Sequence, residues 1–177
     1  MPENNREAFA AANYIIENLS KNKINDLTNL KLQKLMYFAY GVHLSLFGER
    51  LFSDEIQAWK YGPVIPSVYK EFRCHGSNPI GTNSRATILK DDDSGEFEEP
   101  PVINEFTEEN KAKSLFIACA SYGEKSAWDL VGMLHNGERS AWKKHHDENR
   151  RGIVIPDKDI LAEFENSMDQ VATFILG

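Results

Sequence analysis

Cysteine is scarce: the 177-residue chain holds two, Cys74 and Cys119, far apart in sequence. With no secretion signal ahead of them they read as free thiols rather than a disulfide. No apolar run approaches the ~20 residues that span a bilayer. Met1 to Arg6 lacks the basic-then-apolar layout of a signal peptide. A cytoplasmic location without a membrane partner is therefore the expectation. Positive charge is also short, with 20 Lys and Arg against 27 Asp and Glu and a net charge of −7. An acidic chain repels phosphate backbones, and non-specific nucleic-acid binding needs a basic footprint. The densest basic cluster is Lys143 and Lys144 with Arg150 and Arg151. Nucleic acid is disfavoured as a partner, and no helix-turn-helix is recognisable.

The signatures of common chemistry are missing too. There is no glycine-rich phosphate loop, no G-x-S-x-G elbow and no H-E-x-x-H. His145-His146 with Asp147 and Glu148 has no i, i+4 ligand spacing and no accompanying Cys-x-x-Cys. Asp91-Asp92-Asp93-Ser94-Gly95 lacks the alternating order of a calcium loop. No metal or cofactor is expected. Cys74-His75 is adjacent on a helix end, where the two side chains diverge. The enzymatic alternative is a small hydrolase using His135 with a carboxylate such as Asp129. One His and one Asp do not define a reaction, so the expectation is a protein that is not an enzyme.

What is present is helical periodicity. Arg6 to Leu19 reads as a helix with Phe9, Ala12, Ile16 and Leu19 on one side. Thr28 is an N-cap for Asn29 to Phe47, whose stripe is Leu32, Leu35, Met36, Ala39, Val42, His43 and Leu46. His43 reads as a buried, hydrogen-bonded histidine. Gly48 suits a left-handed stop. Leu51 to Lys60 carries Ile56, Ala58 and Trp59 as a short strand that Gly62-Pro63 ends, with Trp59 and Tyr61 on one side of the run. Pro66 opens a short helix that finishes near His75-Gly76.

Ser77 to Glu105 has no helical period. Ala86 to Lys90 reads as a strand turned back at Ser94-Gly95, in an acidic hairpin over residues 91–99. It is a solvated surface or, in the sharper reading, a contact for a basic partner. Thr107 is the next N-cap candidate, ahead of a helix burying Leu115, Phe116, Cys119 and Tyr122. Ser126 and Asp129 form a capping box, followed by Trp128, Val131, Leu134 and His135 at helical spacing, with Trp128 assigned to the core. Ser140 to His146 is at most a short helix, and Gly152 to Ile155 is extended. Asp157 caps a last helix with stripe Ile160, Leu161, Phe164, Met168, Val171, Phe174 and Ile175.

Two stretches carry a family resemblance. Leu30-Lys31-Leu32-Gln33-Lys34-Leu35-Met36-Tyr37-Phe38-Ala39, then Ala58-Trp59-Lys60-Tyr61-Gly62-Pro63-Val64, then Pro66 and Tyr69, resemble the Panacea domain. That family includes SocA-like antitoxins and phage-associated relatives of GepA. Ser126-Ala127-Trp128-Asp129-Leu130, His135 and Trp142 resemble its later motif. They depart from it where Leu134 precedes His135 and Ala141 precedes Trp142. The resemblance implies a mainly α fold: one compact helical domain over 1–177, about six helices with a small β element. It implies an antitoxin of a toxin–antitoxin system, phage- or prophage-associated, that neutralises a cognate toxin, encoded by a neighbouring gene, through direct protein contact. The partner-binding candidates are Trp59, Tyr61, Tyr69, His135 and Trp142. Tyr and Trp are enriched at binding hot spots, although buried aromatics are more often core.

Overall fold

The computed structural model describes residues 5–165, and seven α-helices and a two-stranded sheet lie among them. The helices are α1 (Arg6–Lys21), α2 (Asn29–Phe47), α3 (Pro66–Phe72), α4 (Glu109–Tyr122), α5 (Ala127–Asn136), α6 (Ala141–His145) and α7 (Asp157–Phe164). The strands are β1 (Gln57–Trp59) and β2 (Gly62–Val64). The mainly α expectation holds. Met168, Val171, Phe174 and Ile175 lie outside the described residues.

Helix α2 is the axis. It packs against α1, α3, α4, α5, α7 and β2. Thr28 Oγ1 accepts from Lys31 N at 3.2 Å, and Gly48 takes φ 68° at the other end. Both termini are those the sequence announces. The single stripe is an underestimate, because Lys31, Gln33, Lys34, Tyr37 and Tyr40 are buried along with Leu32, Leu35 and Met36. A helix buried on every side has no polar face, so its polar residues need interior partners. Lys31 Nζ reaches out to Asp26 at 2.6 Å. Gln33 donates to Asn29 Oδ1 at 3.0 Å. Ser114 Oγ donates to Asn110 O at 2.9 Å, which leaves it to accept from His43 Nδ1–H at 2.9 Å. Burial holds the His43 pKa below the ordinary histidine value.

Helix α1 brings a small-residue face, Ala8, Ala11 and Ala12, to this core beside Phe9, Ile15, Ile16 and Leu19. Buried Asn13 holds the long 77–105 segment onto it. Its amide donates to Ala86 O at 3.0 Å and to Pro101 O at 2.9 Å, and its Oδ1 accepts from Ala86 N at 2.8 Å. Gly41 of α2 lets Phe164 of α7 lie flat on the helix backbone: a β-carbon there would meet the ring at 2.3 Å.

Several expectations are corrected. Gly62-Pro63 does not end the extended run but starts its return, pairing Trp59 with Gly62 and Gln57 with Val64 in an antiparallel hairpin. Ala86 to Lys90 forms the hairpin expected of it, bridged to its own return arm at Leu89–Phe97 and apart from this sheet. Gly152 to Ile155 does flank β1, with Ala58 N donating to Ile153 O and Ile155 N to Ile56 O, both at 2.8 Å. Asn104 Oδ1, not Thr107, accepts from Phe106 N and Thr107 N ahead of α4. Phe116 faces out, and Ile117 and Ala118 take the buried side with Leu115 and Cys119. Asp157 is the first residue of α7 rather than its cap, its carboxylate taken by Tyr40 Oη at 2.7 Å and Arg50 Nε at 2.6 Å.

Candidate functional site

The β1–β2 hairpin turns through two residues, Lys60 and Tyr61, and everything about it is tied down from below. Gly62 has φ 107°, a conformation suited to glycine, and a β-carbon there would sit 2.9 Å from Lys34 Nζ. Two consecutive buried side chains of α2 hold the outgoing strand. Lys34 Nζ donates to Pro63 O, and Gln33 Oε1 accepts from Ile65 N, both at 2.9 Å. From the other side, the Trp142 indole of α6 donates to Trp59 O at 2.6 Å. Three side chains thus fix three backbone groups within seven residues. Proline at 63 removes a donor that no ladder needs and restricts Gly62 before it.

Above these tethers lies a set of aromatic rings. Trp59 packs edge-on against Tyr69 of α3 at 5.0 Å, and Tyr61 packs edge-on against Trp128 of α5 at 5.5 Å. Tyr61 is 46% exposed, Tyr69 38% and Trp128 62%. The Lys60 ammonium lies 5.2 Å from the Tyr61 ring centre. The expectation that Trp59 and Tyr61 share a strand face is corrected, since Tyr61 sits in the turn and pairs with a different helix. Trp128 is corrected more strongly, from core to surface. Its helical spacing to Val131 misleads because it stands one residue inside the start of α5, beyond the rim of the packing surface that Leu130, Val131 and Leu134 cover.

Trp142 and His135 lie beneath the rings rather than among them. Trp142 is 7% exposed. His135 stacks on one indole face at 3.8 Å, nearly parallel, and His146 stacks on the other at 4.6 Å. His135 Nε2 and His146 Nδ1 are buried and have no hydrogen-bond partner among the described residues. Burial first, then the charges of Lys34 and His146, keep the His135 pKa below the ordinary value. Lys34 is fully buried, and desolvation lowers its pKa to about 7. Sequence reading gave Lys34 and Gln33 no role of their own and weighed His146 only as a metal ligand. The available signal was a lysine and a glutamine beside each other in a helix too long and apolar to lie at a surface.

The hydrolase pairing is not assembled. Asp129 is bound to Ser126 in the capping box, with Ser126 Oγ donating to its carboxylate at 2.6 Å. Six residues separate it from His135, which places the two on different sides of α5. His145 is paired with Asp159 at 2.6 Å. Among the described residues no group of three or more His, Cys, Asp or Glu is arranged to hold a metal ion. No helix there is long and apolar enough to cross a membrane.

Fold and site together describe a mainly helical domain that presents a braced aromatic hairpin at its surface. The chain belongs to the SocA-like antitoxin, Panacea domain family, whose profile matches residues 32–143, from the first turns of α2 through the hairpin to α6. It is 41% identical over 74 residues to the antitoxin SocA of Caulobacter vibrioides (strain NA1000 / CB15N), a match covering 42% of this chain and 39% of that protein. The chain thus spans well under half the length of this relative. No solved structure matches it.

Proposed function

We propose that this protein is an antitoxin that neutralises a protein toxin by direct binding, without catalysis, and that the ring set of Trp59, Tyr61, Tyr69 and Trp128 is its contact face. The observation that carries the reading is a group of exposed rings, Tyr61, Tyr69 and Trp128, gathered with half-buried Trp59 around a hairpin whose backbone is anchored three times over. A surface held rigid before contact loses little entropy on binding, and Tyr and Trp dominate binding hot spots. Family membership and likeness to an antitoxin supply the kind of partner. His135 and Trp142 serve this face from underneath.

The test is co-expression with the product of the neighbouring gene. The expected result is co-purification of the two chains and relief of that product's growth arrest. A neighbouring product that arrests growth equally with and without this chain, and does not co-purify, would overturn the reading.

A further inference from the structure

Beneath the hairpin lie ionisable groups that contact by the rings does not use. The Trp142 indole is clamped between His135 of α5 and His146, just past α6, with interplanar angles of 3° and 17°. Each histidine has a buried nitrogen without a partner among the described residues. Unsatisfied polar atoms are rare in native interiors and each calls for a reason. The third group is the Lys34 ammonium, fully buried with the Pro63 carbonyl as its hydrogen-bond partner.

Among the described residues, the surrounding charges leave these groups without a counter-ion. From α2, the side chain facing His135 is Lys34. From α6 and the residue after it, His146 faces the stack, while His145 and Lys144 are turned to Asp159 of α7. From α7, Glu163 is occupied by Tyr37 Oη at 2.5 Å and Ala141 N at 3.1 Å. The hairpin adds Lys60 and Tyr61, both at its exposed tip. No carboxylate of the described residues hydrogen-bonds to the free nitrogen of either histidine.

We infer that His135 is a positioning residue of the contact hairpin, stacked with His146 around Trp142 and holding that indole, and through it Trp59, while its own ring is uncharged, so that mild acid releases the hairpin. One imidazolium on an indole face is attractive. A charged His135, with no carboxylate on its free nitrogen and the buried Lys34 ammonium beside it, is repelled in a medium that screens poorly, and that repulsion outweighs the attraction of the ring. The stack is the one stabilising contact in the cluster that protonation reverses. The tether it carries, Trp142 Nε1–H to Trp59 O, belongs to the ring set itself. This rests on the proposed contact face for its consequence, loss of the partner in acid, but not for its mechanism.

The experiment follows the full-length, nitrogen-15-labelled chain by NMR from about pH 7.5 to about pH 5. The readouts are the Trp142 indole Nε1–H signal and the exchange rate of the Ala58 amide, corrected for its intrinsic pH dependence. The expected result is an acid transition with its midpoint below the ordinary histidine value of about 6.5, with Ala58 exchange faster by at least about tenfold while the α2 amides stay protected. His135→Phe with His146→Phe keeps two rings on the indole and should abolish this transition, leaving only the separate Lys34 step at about pH 7. A wild-type chain whose Trp142 signal and Ala58 exchange do not respond down to global unfolding overturns the inference, with no variant needed. So does the same transition in the double variant. Neither readout involves the toxin. A chain that fails to bind the neighbouring product at any pH, yet keeps the transition, therefore sinks the contact face and not the positioning role.

Discussion

Lys34 takes an amine into the interior and gives it one carbonyl, Pro63 O, which holds the hairpin at the cost of an uncompensated charge. Its pKa, lowered to about 7 by desolvation, makes that cost depend on pH. The unfolded chain binds its proton up to the usual lysine value of about 10.4, and the folded chain only below about 7. Stability from this group therefore falls as pH drops through that window and levels off beneath it. Lys34→Met should remove the slope: between about pH 9.5 and 7.5 the wild type should lose ~1.4 kcal/mol per pH unit more than the variant. Denaturant titrations at several pH values measure it, and parallel curves for the two chains would contradict this placement of Lys34. Gly62 is the companion residue. Gly62→Ala adds a β-carbon against Lys34 Nζ at a positive φ, so the hairpin should loosen, seen as faster exchange at Ala58 and a lower melting temperature.

Helices and strands show which parts of the fold were legible in the chain and which were not. The ends of α2 were, because Thr28 and Gly48 act locally and need no tertiary context. The capping box of α5 was legible for the same reason. The hairpin was not: Gly62-Pro63 reads as a stop, and only Lys34, Gln33 and Trp142, distant in sequence, make it a turn with a return strand. Tyr61 and Trp59 were legible as a pair worth attention, but Trp128, the most exposed of the rings, hid behind a helical spacing that places it toward the core. Periodicity gives the direction of a side chain and not the extent of the surface it meets. The packing of α7 on α2 depends on Gly41, which no pattern announces. Gly41→Ala should drive the Phe164 ring off α2 and cost ~1–3 kcal/mol by overpacking. Unchanged thermal stability of that variant would show that α7 packs elsewhere.

As a whole molecule the chain is an acidic helical domain with one braced aromatic face, and its net charge of −7 sets what it avoids. At physiological salt it should not bind random duplex DNA tightly, because Lys144 is spent on Asp159 and the overall field is repulsive. A gel shift with sub-micromolar affinity would contradict that. The central claim is the contact face, and Tyr61→Ala tests it most directly, measured as a binding titration against the proposed toxin partner and a thermal melt on the same preparation. Tyr61 is 46% exposed and sits in a turn, so its loss should leave the melting temperature nearly unchanged. Toxin affinity should fall by ~2 kcal/mol or more, about thirtyfold. Full affinity in the variant, with or without a drop in melting temperature, would contradict the account.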